Sequence, residues 1–407
     1  MKSTYEAVVV GAGPSGCSAA IHLGKMGVEV LLLDKSTFPR DKVCGDGVPR
    51  KCFPLLEELG IGGQLLLSRG YPIRQLNIHT PSGEVISYGN LEDEISQQSV
   101  CLARRDFDFL IVSQAKKFLP QVALGMEVVR IEQMSKDAHI VLIEERETGR
   151  QKQISTRILI GADGANSIVS RQKEMVSPRK PDRFIGLRAY WDNGSFEPVA
   201  HIVYDHLTLP GYVWLFPISK NRANIGMVVT QDSKRRAGSN MVSLFKDIVS
   251  SHHIFKGLQK NGEIFDRIKA SPLNLGSARG HRVKDGVILV GDAACLINPL
   301  TGGGIFNAMF SGKQAAYASA RCLRKNDVSQ RGLKIYEKSL RRTLSASFFY
   351  SSFMKRCLQK EKTAYWWLQC CAKNRVFADI FLSFYGNPLP RLAALNPLSL
   401  LKALTAK

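Results

Sequence analysis

The stretch Ala7-Val8-Val9-Val10-Gly11-Ala12-Gly13-Pro14-Ser15-Gly16-Cys17-Ser18-Ala19-Ala20 decides the fold. Its first four residues read as a short apolar strand, and Gly11, Gly13 and Gly16 have G-x-G-x-x-G spacing. An amphipathic helix is predicted to run on to about Met26. A second apolar strand, Val28–Leu33, then ends in Asp34 and Lys35. Strand, glycine turn, helix, strand and acid in that order form the unit that cradles a dinucleotide. Gly11 permits the tight turn, Gly13 lets backbone approach a pyrophosphate, and Gly16 allows close helix–strand packing. The helix N-terminus stabilises phosphate charge. Asp34, with Lys35 beside it, is the candidate contact to the adenosine ribose. This unit alone does not separate NAD from FAD.

Two later segments do. A strand at Arg157–Ile160 leads into Gly161-Ala162-Asp163-Gly164-Ala165-Asn166-Ser167, and a strand at Val287–Val290 leads into Gly291-Asp292-Ala293-Ala294. They resemble the second and third fingerprints of the flavoprotein monooxygenase-like superfamily. Arg104 in Arg104-Arg105-Asp106-Phe107-Asp108 matches that superfamily's R-x-x-F-D. The resemblance implies FAD. Asp292 would bind the ribityl chain, Asp163 and Gly164 would lie near the pyrophosphate and the reductant path, and Arg104 would contact the cofactor. Arg40 and Lys42 are candidate contacts to flavin or nicotinamide phosphates, and also read as ordinary solvated cations. Asn298-Pro299-Leu300-Thr301-Gly302-Gly303-Gly304-Ile305 is physically a glycine nest that opens a helix. Such a nest suits the partial negative charge at the flavin N1/O2 edge.

Between the fingerprints lie two strand-rich inserts, about Tyr71–Val100 and Arg183–Ser277. Both alternate apolar and polar residues: Ile73, Leu76, Ile78, Val85 and Ile86 in the first, Ile202, Val203, Tyr204, Val213, Leu215 and Phe216 in the second. In Tyr212-Val213-Trp214-Leu215-Phe216-Pro217, a strand turns Tyr212, Trp214 and Phe216 to one face. Three adjacent rings make either a sheet core or a wide apolar wall suited to a long hydrocarbon. This Y-x-W-x-F-P is similar to a signature of the geranylgeranyl reductase family. So are Phe38-Pro39-Arg40-Asp41-Lys42-Val43-Cys44-Gly45-Asp46-Gly47 and the Asn298–Ile305 stretch. Cys44-Gly45-Asp46-Gly47 looks nearest to the bacterial menaquinone and polyprenyl branch. That branch reads C-G-D-G-x-x-P-R, whereas here Val48 alone separates Gly47 from Pro49-Arg50, so the identity of the isoprenoid stays open.

The family resemblance implies an FAD-dependent reductase that saturates C=C bonds of geranylgeranyl, polyprenyl or menaquinone-type lipids. NAD(P)H or another electron donor would be the transient reductant. An isolated alkene is not polarised, so hydride from reduced flavin must be matched by a proton delivered to the other carbon in a water-poor pocket. Cys44 is the candidate donor, because the family places its glycine-rich segment over the flavin ring. A small thiol with only packing value is the competing reading. The rival function is an FAD-dependent monooxygenase acting on an aromatic or isoprenoid compound, halogenase-related chemistry included, although the W-x-W-x-I-P of flavin halogenases does not occur. A non-catalytic FAD-bound scaffold is the alternative from another class.

The expected architecture is α/β, with a discontinuous Rossmann-type FAD-binding domain (1–70, 101–182, 278–330). A mostly antiparallel substrate sheet (71–100, 183–277) and a helical C-terminal region (331–407) complete it. The 407 residues carry 56 Lys+Arg against 35 Asp+Glu, a net charge of +21, and 44% of them are hydrophobic. That excludes bulk disorder. Residues 331–407 hold a net +11 interleaved with aromatics, among them Phe348, Phe349, Phe353, Trp366, Trp367, Phe377 and Phe381. Such helices suit a membrane interface, or else form an ordinary subdomain with an aromatic core and solvated cations. No nucleic-acid-binding module is present. The nine cysteines include no C-x-x-C pair, which argues against structural zinc and a disulfide framework. A cytoplasmic enzyme, working at the inner face of the membrane if the tail meets lipid, is the expected setting. The oligomeric state is not legible.

Overall fold

The computed structural model describes residues 1–89, 99–135, 137–179, 183–230, 240–256, 263–264, 268–276 and 278–386. Parts of the expected inserts (90–98, 231–239, most of 257–267) and the end of the expected tail (387–407) lie outside the described residues.

The first sheet is built on Thr4–Val10, flanked in parallel by Val30–Asp34 and Gln151–Gly161, with Val287–Leu289 next to the latter. Val8, Val9, Leu31, Leu32, Leu159, Ile160, Ile288 and Leu289 are all fully buried. Near-continuous apolar runs are what a parallel sheet covered on both faces requires. The register decides the function of this sheet. Val10 pairs with both Leu33 and Gly161, and Gly161 pairs with Leu289. The carboxyl ends of four strands are therefore level, and the segments after Val10, Leu33, Gly161 and Leu289 open at one edge. Ligands of such sheets bind there. Met126–Ser135 and Ala138–Glu145 extend the sheet as an antiparallel meander.

Pro14–Lys25 and Ile305–Arg324 are helices packed against each other, with Ser18 Oγ donating to Met309 O at 2.8 Å. A Cβ on Gly16 would sit 1.7 Å from Gly11 O, so only glycine lets the first helix start this close to its strand.

The second sheet runs in the order 263–264, 183–192, 222–230, 212–217, 199–203, 75–79, 85–89, with Lys269–Asn274 also pairing to 183–192. Among the described strands of this sheet, only the 199–203/75–79 pair is parallel. One face, with Leu187, Val213, Leu215, Ile225 and Met227, is covered by helices Met241–Ser251 and His253–Lys256. The other, with Ile78, Ile202, Tyr212, Trp214 and Val228, faces the C-terminal helices Gln330–Gln359, Glu361–Lys373 and Arg375–Gly386. In the first insert Ile78 and Ile86 are buried as expected, but Val85 points to solvent. A small third sheet joins Gly47–Val48, Ser99–Cys101 and Tyr71–Ile73 and ends the Cys44 loop.

The aromatic tail divides. Tyr336, Phe377 and Phe381 are core residues, whereas Phe349, Phe353 and Trp366 are 69%, 54% and 52% exposed. No helix among the described residues is long and apolar enough to cross a membrane.

Candidate active site

The level strand ends open into one cleft of about 1250 Å³. Gly11, Gly13, Asp34, Lys35, Arg40, Arg104, Asp163, Gly164, Asp292, Gly302, Gly303 and Gly304 line it, together with Cys44, Tyr212, Trp214 and Phe216. Gly16 and Gly291 stand just behind this lining. Gly16 lies under Gly11, and Gly291 lies against Ser15.

The dinucleotide end is preorganised by charge and by free backbone. The Asp34 carboxylate accepts from Ala12 N at 2.7 Å and from Ser36 N at 2.8 Å, which fixes the glycine turn to the second strand. Further lone pairs of that carboxylate stay available to a sugar hydroxyl. Helices Pro14–Lys25 and Ile305–Arg324 both start at a glycine, Gly13 and Gly304, with no side chain capping the first turn. Two uncapped positive helix ends on one cleft fit an anionic, phosphate-bearing ligand. The Asp163 carboxylate accepts from Ile168 N at 2.6 Å through Oδ2, while its buried Oδ1 has no hydrogen-bond partner among the described residues. Burial raises the Asp163 pKa. A buried orphan acceptor at a cleft wall also fits a bound polar group.

The cations at this end are mostly paired within the protein. Asp108 accepts from Arg104 Nε at 2.7 Å and Nη2 at 2.8 Å, and from Arg40 Nη1 at 2.9 Å. Lys42 Nζ donates to Asp292 Oδ2 at 3.2 Å, and Lys35 Nζ lies 3.7 Å from Glu127. Arg104 is buried, and its guanidinium also interacts with the Cys44 sulfur.

Tyr212, Trp214 and Phe216 form one wall, as the strand period requires, with consecutive ring centroids 6.3 Å apart. Trp214 lies over Gly226, where a Cβ would come within 2.1 Å of the indole. Trp214 Nε1 donates to Asn224 Oδ1 at 2.8 Å, and Tyr212 OH donates to Thr301 O at 2.5 Å. The wall is thus tied to the glycine nest at one end and to the Cys44 loop at the other.

That loop is held by residues that pattern reading did not single out. Asn224 Nδ2 donates to Cys44 O at 2.8 Å and to Asp46 Oδ2 at 2.7 Å. Tyr190 OH donates to Asp46 Oδ2 at 2.7 Å, and Arg104 N to Asp46 Oδ1 at 3.1 Å. The Arg188 and Arg222 guanidinium groups both lie over the Tyr190 ring, 4.2 and 4.6 Å from its centroid. Asp46 is fully buried at φ 62°, a region costly for a side chain with a Cβ. Burial pushes its carboxyl up to about 6, against the pull of those three donors. One signal was available in the sequence, an acid flanked by glycines in Cys44-Gly45-Asp46-Gly47. Tyr190 and Asn224 carried none, because they reach the loop from about 144 and 178 residues away. Of the other cysteines, Cys101 is buried beside the loop, paired with Gly47, and its thiol is pushed up by burial and then by Asp46 and Cys44, while others lie further off. Cys17, for instance, is fully buried, donates to Ala12 O at 3.2 Å and has its pKa raised by burial.

Comparison with known proteins agrees with this geometry. An FAD binding domain family matches residues 4–344. Digeranylgeranylglycerophospholipid reductase 1 of Methanococcoides burtonii is 28% identical over 345 residues, covering 84% of this chain and 80% of that protein. Menaquinone reductase of Mycobacterium tuberculosis is 29% identical over 327 residues, covering 76% of this chain and 75% of that one. Among solved structures, a geranylgeranyl bacteriochlorophyll reductase-like protein of Thermoplasma acidophilum superposes with a TM-score of 0.84 at 22% identity, over 100% of this chain and 96% of that one. That likeness shows a shared fold.

Proposed function

The chain belongs to the FAD-binding domain family, and we propose that with FAD bound it saturates carbon–carbon double bonds of an isoprenoid chain. The observation that carries this reading is the continuity of the cleft. The cavity with the dinucleotide features runs on along Tyr212, Trp214 and Phe216, and the Cys44 loop packs where the two meet. At about 1250 Å³ it exceeds the ~300–1,000 Å³ of a pocket for one small molecule, and so has room for an apolar chain beside a dinucleotide.

When bound, reduced FAD supplies the hydride, and NAD(P)H or another electron donor restores it. The residues of the chain do the rest. Tyr212 and Trp214, both buried, exclude water from one side of the alkene. Cys44 holds a proton at Sγ for the second alkene carbon, and is reprotonated afterwards from solvent. Arg104 stabilises the sulfur once the proton has left. The Asp46–Asn224–Tyr190 set keeps the Cys44 backbone in place. Lys35, Arg40, Asp163, Asp292 and the Gly302–Gly304 nest hold the cofactor, and residues 1–70, 101–182 and 278–330 form the part that binds it.

Exposed Phe349 and Phe353 stand four residues apart on Gln330–Gln359, and Trp366 is exposed on the next helix. Arg342, Arg356 and Lys360 are exposed among them. Rings at headgroup depth with cations beside them support contact with an anionic bilayer, from which the enzyme would collect its lipid.

The function is tested anaerobically. FAD-loaded protein is reduced and mixed with membrane lipid extract, and mass spectrometry follows which lipids gain H2. A gain in isoprenoid lipids is expected. Its absence, with oxygenated products forming only in air, would establish the monooxygenase reading instead.

A further inference from the structure

Lys51 is a half-buried cation of the cleft lining. It lies in the turn Arg50–Cys52, which packs against helix Ile305–Arg324, and its Nζ stands 5.3 Å from the centroid of Phe306 in the first turn of that helix. The side chain is half-buried and lines the cleft with Phe306 and the Gly302–Gly304 nest. Four other cations of the lining have carboxylate partners, since Arg40 and Arg104 share Asp108, Lys42 pairs with Asp292 and Lys35 faces Glu127, while Arg171 donates to the Asn166 carbonyl. The Phe306 ring face favours the Lys51 charge weakly, and the neighbouring Cys52 adds little, because burial pushes its thiol up to about 12 and keeps it neutral. Burial lowers the Lys51 pKa.

An ammonium half out of water, with no carboxylate partner among the described residues, beside the positive end of an uncapped helix is an unfavourable arrangement in isolation. It becomes favourable when negative charge arrives between the two. We infer that Lys51 is the charge partner of the reduced, anionic form of the flavin, and acts with the Ile305–Arg324 helix terminus to raise its reduction potential. This rests on FAD binding and not on the isoprenoid reading, so either can fail without the other.

The test uses FAD-loaded protein with Lys51→Met and Lys51→Arg, reduced in equilibrium with a reference dye. Lys51→Met is expected to lower the reduced-to-oxidised flavin ratio at fixed potential at least tenfold, about 30 mV for a two-electron couple. Lys51→Arg should stay within threefold of the parent. Titration of the reduced protein followed by its absorbance should show the flavin N1 ionising at higher pH in the Met variant. An unchanged potential in Lys51→Met overturns the inference. So does an unchanged potential with a raised KM for a phosphate-headed isoprenoid but not a neutral-headed one, which assigns the ammonium to the substrate head. If Lys51→Met does not retain flavin, Lys51→Gln carries the same measurement.

Discussion

The Asn224 carboxamide nitrogen donates to the Cys44 carbonyl oxygen at 2.8 Å, joining a strand of the second sheet to the loop that carries the thiol. The same side chain also serves Asp46 and the Trp214 indole. Removing it leaves buried polar groups on both sides without partners. Asn224→Ala should therefore cost about 2–3 kcal/mol in denaturant unfolding, since each orphaned buried group costs roughly 1–3 kcal/mol. Turnover should fall while FAD content is kept. Stability equal to the parent would show that the three contacts are replaced by solvent.

Cys44→Ser should keep FAD and slow alkene reduction about a hundredfold, at the lower end of the ~10²–10⁴ expected of a positioned general acid. Single-turnover oxidation of the reduced holoenzyme by substrate reads this directly. A parental rate would return Cys44 to a packing role.

Gly226→Ala acts on the aromatic wall without touching the nucleotide edge. Its Cβ would meet the Trp214 ring at 2.1 Å and the Leu187 backbone oxygen at 2.3 Å, forcing the indole and the paired strand to shift. Overpacking of this kind costs about 1–3 kcal/mol. The KM for a long isoprenoid should rise several-fold more than that for a short one. Equal changes for both would argue against a wall that follows the chain.

Four histidines meet on the second sheet and its helices. His79 Nε2 lies 3.0 Å from His201 Nδ1, and the His252 and His253 rings lie 5.4 and 5.3 Å from that of His79. Burial first, then the neighbouring histidines, lowers His79 to about 3 and His201 to about 4. His252 is also lowered to about 4, with Asp205 as the one opposing charge on it. The His79, His201 and His252 rings are neutral in the fold, and the unfolded chain takes protons there first. Their contribution to stability is present above about pH 6.5 and is lost as pH falls toward 4 and below. Thermal unfolding at pH 7.5, 6 and 5 should show Tm falling. His201→Asn should flatten that fall, and an identical slope in the variant would remove the cluster as its cause.

Phe349, Phe353 and Trp366 can be tested by joint replacement with Ser. Truncation is unsuited, because Tyr336, Leu340 and Leu344 of the same helix are core residues and Tyr336 OH bonds Leu289 O at 2.7 Å. The triple variant should bind vesicles rich in anionic lipid at least tenfold more weakly, with Tm kept. The parent's binding should weaken with salt, as screened cations require. Equal binding by both proteins would leave these rings as ordinary surface.

The sequence by itself determined the nucleotide edge and the existence of an aromatic face. Gly11, Gly13, Gly16 and Asp34 act within one βαβ unit, and Tyr212, Trp214 and Phe216 share a side because strand geometry has a period of two. These are local relations, written in spacing. Only the tertiary structure decided that the wall and the nucleotide edge share one cleft, and that level strand ends bring the fingerprints together. It also decided that Arg104 and Arg40 share Asp108 while Lys51 has no carboxylate partner among the described residues, and which tail aromatics are core. Each depends on groups distant in the chain being desolvated together. Spacing does not encode what a side chain will meet once water is gone, and the energies of buried charge and orphaned hydrogen bonds are set at that moment.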